Sequence, residues 1–266
     1  MANVGIGDEV MVSGMVRELQ RADPRKVRIV YERGPRWYSV WENNPRIAGP
    51  QEEGAFHDWC PRENYLRPYI SAKTKERWTW KPYRPPVGEI YFTDAERAFA
   101  KQYAPRVIID IDVKAGASPN KRWPTEHWKK LAQFLKDADL STYQMGPLPP
   151  LMMPHATFAK TETIRQAAAL IASSQAVICH EGALRHIAAA VGTPAVVIHG
   201  GYISPEVIRY EGQESLFTGG GLGCGMRVPC SHCDEAMRAI TPEMVFEALQ
   251  RVLRSEPTTS ATPRAA

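Results

Sequence analysis

Residues 173–202 read SSQAVICHEGALRHIAAAVGTPAVVIHGGY, and this stretch decides the fold. Residues 176–179 are a short apolar run rich in β-branched side chains, the mark of a buried strand. His180-Glu181-Gly182 is a polar break. From Leu184 to Val191 the apolar residues Leu184, Ile187, Ala188 and Val191 share one face of a helix, which Gly192 and Pro194 stop. Residues 195–198 form a second buried strand, closed by Gly200-Gly201. Strand, glycine loop, helix and strand make a βαβ unit, whose crossover is right-handed. Its loop feeds a helix N-terminus, where free N–H groups and the helix dipole favour an anion such as a diphosphate. The plainer alternative is that Gly182 only shapes a tight turn.

Working outward on the C-terminal side, residues 242–253 form an amphipathic helix, and residues 254–266 read as a disordered tail. On the N-terminal side, 107–113 is a strand, 114–124 a loop carrying SPNKRWP, and 125–138 a helix with Trp128, Leu131, Ala132 and Leu135 inward. A short strand ends near Met145, 146–154 is a proline-rich loop, and 162–173 is a helix. This alternation predicts an α/β fold with a doubly wound parallel sheet.

Residues 1–105 are less regular. Gly5-Ile6-Gly7-Asp8 precedes a helix over 9–21 with Val12, Met15, Val16 and Leu19 at helical spacing; taken alone, Asp8 reads as its N-cap. Residues 27–31 form a strand. Between Pro61 and Gly88 seven Arg or Lys face two acids, interleaved with Tyr65, Tyr69, Trp78, Trp80 and Tyr83. Such a mixture binds phosphates and stacks sugars or bases, or else it is a solvated cover with aromatics tucked inward. Thr93-x-x-Glu96 is a capping box opening a helix through Tyr103.

Composition narrows the class. The chain has 266 residues, 44% hydrophobic and 23% charged, with net charge +4, which is ordinary for a globular protein. No apolar run is long enough to span a membrane, and the N-terminus lacks a signal peptide's pattern, so a cytoplasmic location is expected. Five cysteines do not suggest a secreted disulfide framework. Cys224-x5-Cys230-x2-Cys233, beside His232, offers three thiolates for a structural zinc ion, with no obvious fourth ligand in the spacing; the alternative is reduced thiols in a loop. Gly219-Gly220-Gly221 precedes no helix pattern and reads as a flexible loop.

Three motifs resemble glycosyltransferase family nine, the heptosyltransferases, in the family's order. These are Gly7-Asp8 before an apolar helix, Lys121-Arg122-Trp123-Pro124 after the first strand of the C-terminal domain, and the 180–197 stretch with its His-x-Ala-Ala-Ala helix and Gly-x-Pro strand. The match covers most of 106–253 and scattered parts of 5–50. It implies a GT-B-like architecture of two Rossmann-like domains: a reduced N-terminal acceptor-side domain over 1–105 and a nucleotide-sugar-binding domain over 106–253. It also implies inverting, metal-independent transfer from a nucleoside-diphosphate sugar to an acceptor hydroxyl, with no tightly bound cofactor.

By the resemblance Asp8 is the base, and Lys121, helped by Arg122, meets the diphosphate. The N–H groups around Gly182, Ala183 and Leu184 complete the anion site, Glu181 holds the ribose, and His186 orders the loop. The sequence departs from the family in having only MANV before Gly5, in His180-Glu181-Gly182 for the usual Asp-Ser/Thr-Gly, in one extra residue before His186, and in Gly146-Pro-Leu-Pro-Pro after the second strand. Transfer to a nucleic acid base, suggested by the basic aromatic segment, and non-catalytic nucleotide-sugar binding stand as the other function classes.

Overall fold

The structure, a computed structural model, describes residues 5–31, 34–61, 67–147 and 151–254. The tail from residue 255, the MANV start, Tyr65 and part of the 146–154 loop lie outside the described residues.

In chain order the first part holds α1 (Ile6–Leu19), β1 (Val27–Tyr31), β2 (Gly34–Pro35), β3 (His57–Trp59), β4 (Ile70–Lys73), β5 (Trp78–Trp80) and α2 (Asp94–Ala100). The second part holds β6 (Val107–Asp110), a 3-10 turn (Pro119–Lys121), α3 (Thr125–Asp137), β7 (Thr142–Gly146), β8 (Ala156–Lys160), α4 (Ile164–Ala172), β9 (Ala176–His180) and α5 (Ala183–Val191). It ends with β10 (Ala195–Gly200), β11 (Gln213–Phe217), α6 (Ser231–Ala239) and α7 (Pro242–Arg254).

The six strands of the second part form one parallel sheet in the order β11-β10-β9-β6-β7-β8. The chain winds outward from β6 in one direction and, after α4, from β9 in the other. The two strands that flank this reversal are β6 and β9, and ligands of such sheets bind beyond their carboxyl ends. Side chains alternate across the sheet as the pleat requires. Ile108, Val177, Cys179 and Val197 pack with α1, α4 and α5, whereas Val107, Ile109, Ile178, Val196 and Ile198 pack with α3 and α7. Both faces are covered, which is why the strands read as continuous apolar runs. Helix α3 presents Trp128, Leu131, Ala132 and Leu135 to the core, as its spacing predicts. Gly192 ends α5 in the left-handed conformation, φ 78°, where glycine has no steric penalty.

The first part is built differently. Its three-stranded sheet, β2-β1-β3, has one parallel pair (β1–β3) and one antiparallel pair (β1–β2). A separate antiparallel hairpin joins β4 to β5. Neither sheet closes a core of its own. Val10, Val12, Val16, Ile29 and Trp41 share one apolar cluster with Val177, Cys179 and Ile187. Met11, Tyr69 and Trp80 share another with Tyr202, Ile203 and Cys233.

Helix α1 starts at Ile6, three residues before the start expected from the sequence, because Asp8 Oδ2 reaches back to accept the Gly5 N–H at 3.1 Å. Asp8 therefore caps from the third helical position and is not the N-cap itself. Two glycines sit inside α1, at about 1 kcal/mol each against alanine. Both are required by contact. A Cβ at Gly7 would lie 2.6 Å from His186 Cδ2, and one at Gly14 2.5 Å from the Val87 carbonyl. Gly7 thus lets the N-terminus of α1 press against the N-terminus of α5.

Candidate active site

Between the carboxyl ends of β6 and β9 the structure brings together the loops singled out in the sequence. Lys121, at the end of the 3-10 turn, forms an ion pair with the Glu181 carboxylate through Oε2, and its Nζ also donates to the Glu181 carbonyl at 3.3 Å. The Lys121 ammonium lies 5.0 Å from the centre of the Tyr202 ring. Behind Glu181 stands Arg185, one helical turn on, with Nε 3.5 Å from Oε1. The Arg185 guanidinium is 0% exposed and makes no hydrogen bond among the described residues; its face lies over the Tyr210 ring at 5.5 Å. Burial alone would push the Glu181 carboxyl up, but Lys121 and Arg185 outweigh it and hold it well below the usual carboxylate range. Two cations and one anion leave the triad at net +1. Arg185 balances Glu181, so the charge of Lys121 is available to a further anion.

Gly182 caps α5 with an extended backbone and no side-chain hydrogen bond. A Cβ there would meet only the His180 carbonyl, at 3.9 Å, so the space above this backbone is open. The N–H groups of Ala183 and Leu184 are first-turn donors, which intrahelical bonding leaves unpaired. His186 shares a 2.7 Å hydrogen bond between Nδ1 and the Tyr210 hydroxyl. Burial, with Arg185 adding, holds its pKa well below the usual value, so the ring stays neutral. The ring also lies against Gly7, where a Cβ would come within 2.6 Å of Cδ2, so α1 closes directly onto it. His180 accepts the Trp123 N–H at Nε2, 3.0 Å, and so ties the Lys-Arg-Trp-Pro loop to the end of β9. Arg122 is exposed and lines a cleft of about 370 Å³ with Asn120, Cys230, Cys233 and Met237.

Asp8 sits across the α1–α5 contact. Its carboxylate is 5% exposed and accepts three hydrogen bonds: from Gly5 N–H, from Arg67 Nε at 2.9 Å and from the Tyr69 hydroxyl at 2.9 Å. A carboxylate has about four acceptor positions, so one remains. Arg67 and Tyr69 were not singled out as Asp8's partners, although both belong to the basic aromatic segment. Trp78 of that segment is stacked by two guanidinium groups, Arg67 at 5.1 Å and Arg227 at 4.3 Å. The neighbouring Glu9 is fully buried, with Arg36 Nη2 3.6 Å from Oε1 and no hydrogen bond to either oxygen among the described residues. Arg185 was also missed, although its place four residues after Glu181 on a predicted helix was a readable signal.

The three cysteines also converge. Ligand atoms of Cys224, Cys230, Cys233 and His232 all lie within 4.8 Å of one another. The fourth donor absent from the linear spacing is His232 on α6.

With this geometry in place, the comparisons with known proteins decide the family. The family model described as glycosyltransferase family 9 (heptosyltransferase) matches residues 72–209, which is about half of the chain. The chain belongs to glycosyltransferase family 9. The matched range contains Lys121, Glu181, Gly182 and His186.

A curated relative, lipooligosaccharide heptosyltransferase 2 of Haemophilus influenzae (strain ATCC 51907 / DSM 11121 / KW20 / Rd), is 29% identical over 184 residues, 59% of this chain and 51% of the relative. The chain thus spans about half the length of that protein. Among solved structures, the glycosyl transferase family 9 protein from Veillonella parvula DSM 2008 aligns with TM-score 0.65 at 17% identity, over 93% of this chain and 94% of that one. That likeness extends the shared fold across nearly the whole of both chains. The E. coli ADP-heptose lps heptosyltransferase II aligns at TM-score 0.48 and 22% identity, over 62% of this chain and 53% of that one. No helix among the described residues is long and apolar enough to cross a membrane.

Proposed function

We propose that this protein transfers a sugar from a nucleoside-diphosphate sugar to a hydroxyl of a glycan acceptor, with inversion at the sugar carbon and no metal in the chemical step. Residues 106–253 hold the donor and residues 1–105 present the acceptor. The observation that carries the reading is the net-positive Lys121–Glu181–Arg185 triad beside an open helix N-terminus, at the point where the sheet reverses direction. The diphosphate draws Lys121 away from Glu181, which Arg185 continues to neutralise. Lys121, with Arg122 at the loop's exposed end, and the N–H groups of Ala183 and Leu184 stabilise the charge that grows on the leaving diphosphate. Gly182 keeps the backbone reachable, and Glu181 then accepts the ribose hydroxyls. Asp8 takes the proton of the attacking hydroxyl through its remaining lone pair, as the new bond to the sugar carbon forms and the bond to the diphosphate oxygen breaks. A structural zinc ion at Cys224, Cys230 and Cys233 belongs to the same proposal.

The test is a thermal-shift screen of ADP, GDP, UDP and their sugar conjugates, followed by calorimetry on the Lys121→Ala variant. Lys121→Ala should weaken the best diphosphate about 10–100-fold, the worth of a charged hydrogen bond, and leave the free nucleoside unchanged. Equal affinities would remove Lys121 from the site. Donor binding with no transfer to any glycan would return the protein to the class of binding modules.

A further inference from the structure

The loop between β11 and α6 is an unusual piece of chain. Gly220, Gly221, Gly223 and Gly225 all have positive φ, so no ordinary residue holds this path. Two of them are also squeezed. A Cβ at Gly223 would lie 2.6 Å from the Tyr202 carbonyl, and one at Gly225 would overlap the Trp78 carbonyl. The loop is wedged between β5 and the segment after β10. Leu222, Cys224 and Cys230 pack against the apolar cluster of Tyr202 and Ile203, while backbone entropy opposes such a path at roughly 1–2 kcal/mol per residue.

Four soft donors close its ends. Cys224 leaves the glycine run, Cys230 caps α6, and His232 and Cys233 stand in the first turn of α6. Around a tetrahedral zinc ion, ligand distances of about 2.3 Å for sulfur and 2.0–2.1 Å for nitrogen place neighbouring donors roughly 3.5–3.8 Å apart. His232 Nδ1 lies 4.0 Å from Cys233 Sγ, within reach of that spacing, whereas the Cys224 and Cys233 Sγ atoms, 2.7 Å apart, must separate by about 1 Å to share the ion. The other ring nitrogen, Nε2, bonds the Gly219 carbonyl at 2.8 Å. A carbonyl only accepts, so Nε2 carries the proton and Nδ1 offers its lone pair towards the sulfurs. This is the usual outer support of a metal-bound histidine. The Met226 N–H points at Cys224 Sγ, 3.4 Å, as thiolate ligands favour.

The same loop grips the donor site. Asn120 Nδ2 donates to the Met226 and Val228 carbonyls, both at 2.8 Å, and Asn120 Oδ1 accepts the Cys230 N–H at 3.1 Å. Ser118 Oγ donates to the Met226 carbonyl at 2.7 Å. Asn120 is buried and immediately precedes Lys121. Every hydrogen-bonding group of its side chain is spent on the loop that the cysteines close.

We propose that Cys224, Cys230, Cys233 and His232 Nδ1 together bind one zinc ion, and that this ion, acting through the loop and Asn120, fixes the position of Lys121. The inference rests on the donor site proposed above and deepens it. The metal is a positioning element, 3-Cys-1-His and closed to substrate, so it takes no part in the transfer itself. It joins the glycine-rich loop to the first turn of α6 at a single point.

The experiment uses the full chain purified without a His tag. Elemental analysis should find about one equivalent of zinc; less than about a tenth of an equivalent of any transition metal overturns the site. One equivalent of iron and no zinc overturns the choice of ion. A disulfide between Cys224 and Cys233, whose Sγ atoms stand 2.7 Å apart, seen as a mass two units light, also overturns it. His232→Ala should weaken zinc by at least about tenfold in competition with a chromophoric chelator, and His232→Cys should restore it. Unchanged affinity in His232→Ala removes the histidine.

Stripping the ion from the wild type should weaken ADP, GDP or UDP, whichever binds, by about tenfold, and leave the matching nucleoside unchanged; added zinc should reverse the loss. Zinc present, and its removal without effect on the diphosphate, overturns the link to Lys121 alone. Zinc present with no nucleotide bound at all overturns the donor site and leaves the metal standing.

Discussion

The two helices that meet at the α1–α5 contact each bring a carboxylate, Asp8 within α1 and Glu181 just before α5, and the molecule holds the two by different means. Glu181 sits at the end of a central strand. Its partners are Arg185, one turn along the next helix and fully buried, and Lys121, from the loop after the adjacent strand. Asp8 sits at the start of a helix in the loop-rich part. Its side-chain partners, Arg67 and Tyr69, come from a segment with only short strands, and Arg67 is partly exposed. The first carboxylate is locked between two cations, one of them buried in the core, whereas the second is held by side chains of the loop-rich part and keeps one acceptor position. In the proposed reaction Glu181 stands on the donor side and Asp8 on the acceptor side, so variants at the two should fail in different ways.

Asp8→Asn tests the division most strongly. It keeps the shape and removes the base, so transfer should fall about 10²–10⁴-fold while donor affinity stays nearly intact. The measurement is single-turnover transfer beside calorimetry of the diphosphate. A parallel loss of donor binding would show that Asp8 shapes the donor pocket, and the contrast with Glu181 would collapse.

Glu181→Gln probes the other side. It strands the Arg185 guanidinium, which does not deprotonate in proteins, inside the core. Breaking a buried pair in this way costs about 3–5 kcal/mol, read by urea denaturation. The double variant Glu181→Gln, Arg185→Met should recover most of the loss, because a pair removed whole leaves no bare charge. If the single variant is as stable as the wild type, Glu181 is not the locked member of the comparison.

The same contrast explains what could be read from sequence. The central strands β6, β9 and β10 are buried on both faces, so their apolar runs are visible. Helices α3, α4, α5 and α7 show their stripes for the same reason. Strands β8 (ATFAK) and β11 (QESLF) went unread, and they are the two edges of the sheet. An edge strand is half covered and its residues need no apolar pattern. On the site, Lys121, Glu181 and the Gly182 loop were legible because strand ends and helix starts are local features. The partners of Asp8 lie 59 and 61 residues away, and no local signal pairs them. The first part was expected as a reduced Rossmann-like domain. Among the described residues its named strands keep one parallel pair, β1 with β3, and the part buries its apolar side chains in clusters shared with the second part. His232 completed the cysteine cluster for a similar reason: the turn of α6, which the sequence reading did not resolve, brings its ring to the three sulfurs.

Glu9 gives the smallest effect and the cleanest sign. It is the neighbour of Asp8 and the rival carboxylate. Burial pushes its pKa up to about 8, with Arg36 opposing and Asp8 adding. The unfolded chain releases this proton near 4.5. Between the two values the folded protein keeps a proton that the unfolded chain has lost, so stability falls as pH rises through this window. Below it both states are protonated and the penalty vanishes. Glu9→Gln abolishes the ionisation while keeping the shape. It should therefore raise stability at pH 7 by up to about 3 kcal/mol and change it little at pH 4. Urea denaturation at both pH values reads the difference; equal effects at the two would mean that Glu9 is ionised in the folded protein. Transfer should continue in Glu9→Gln, since both carboxylate oxygens are shut away from any acceptor. If Glu9→Gln stops transfer while Asp8→Asn does not, the base is Glu9, and the carboxylate with an acceptor position to spare is not the one that reacts.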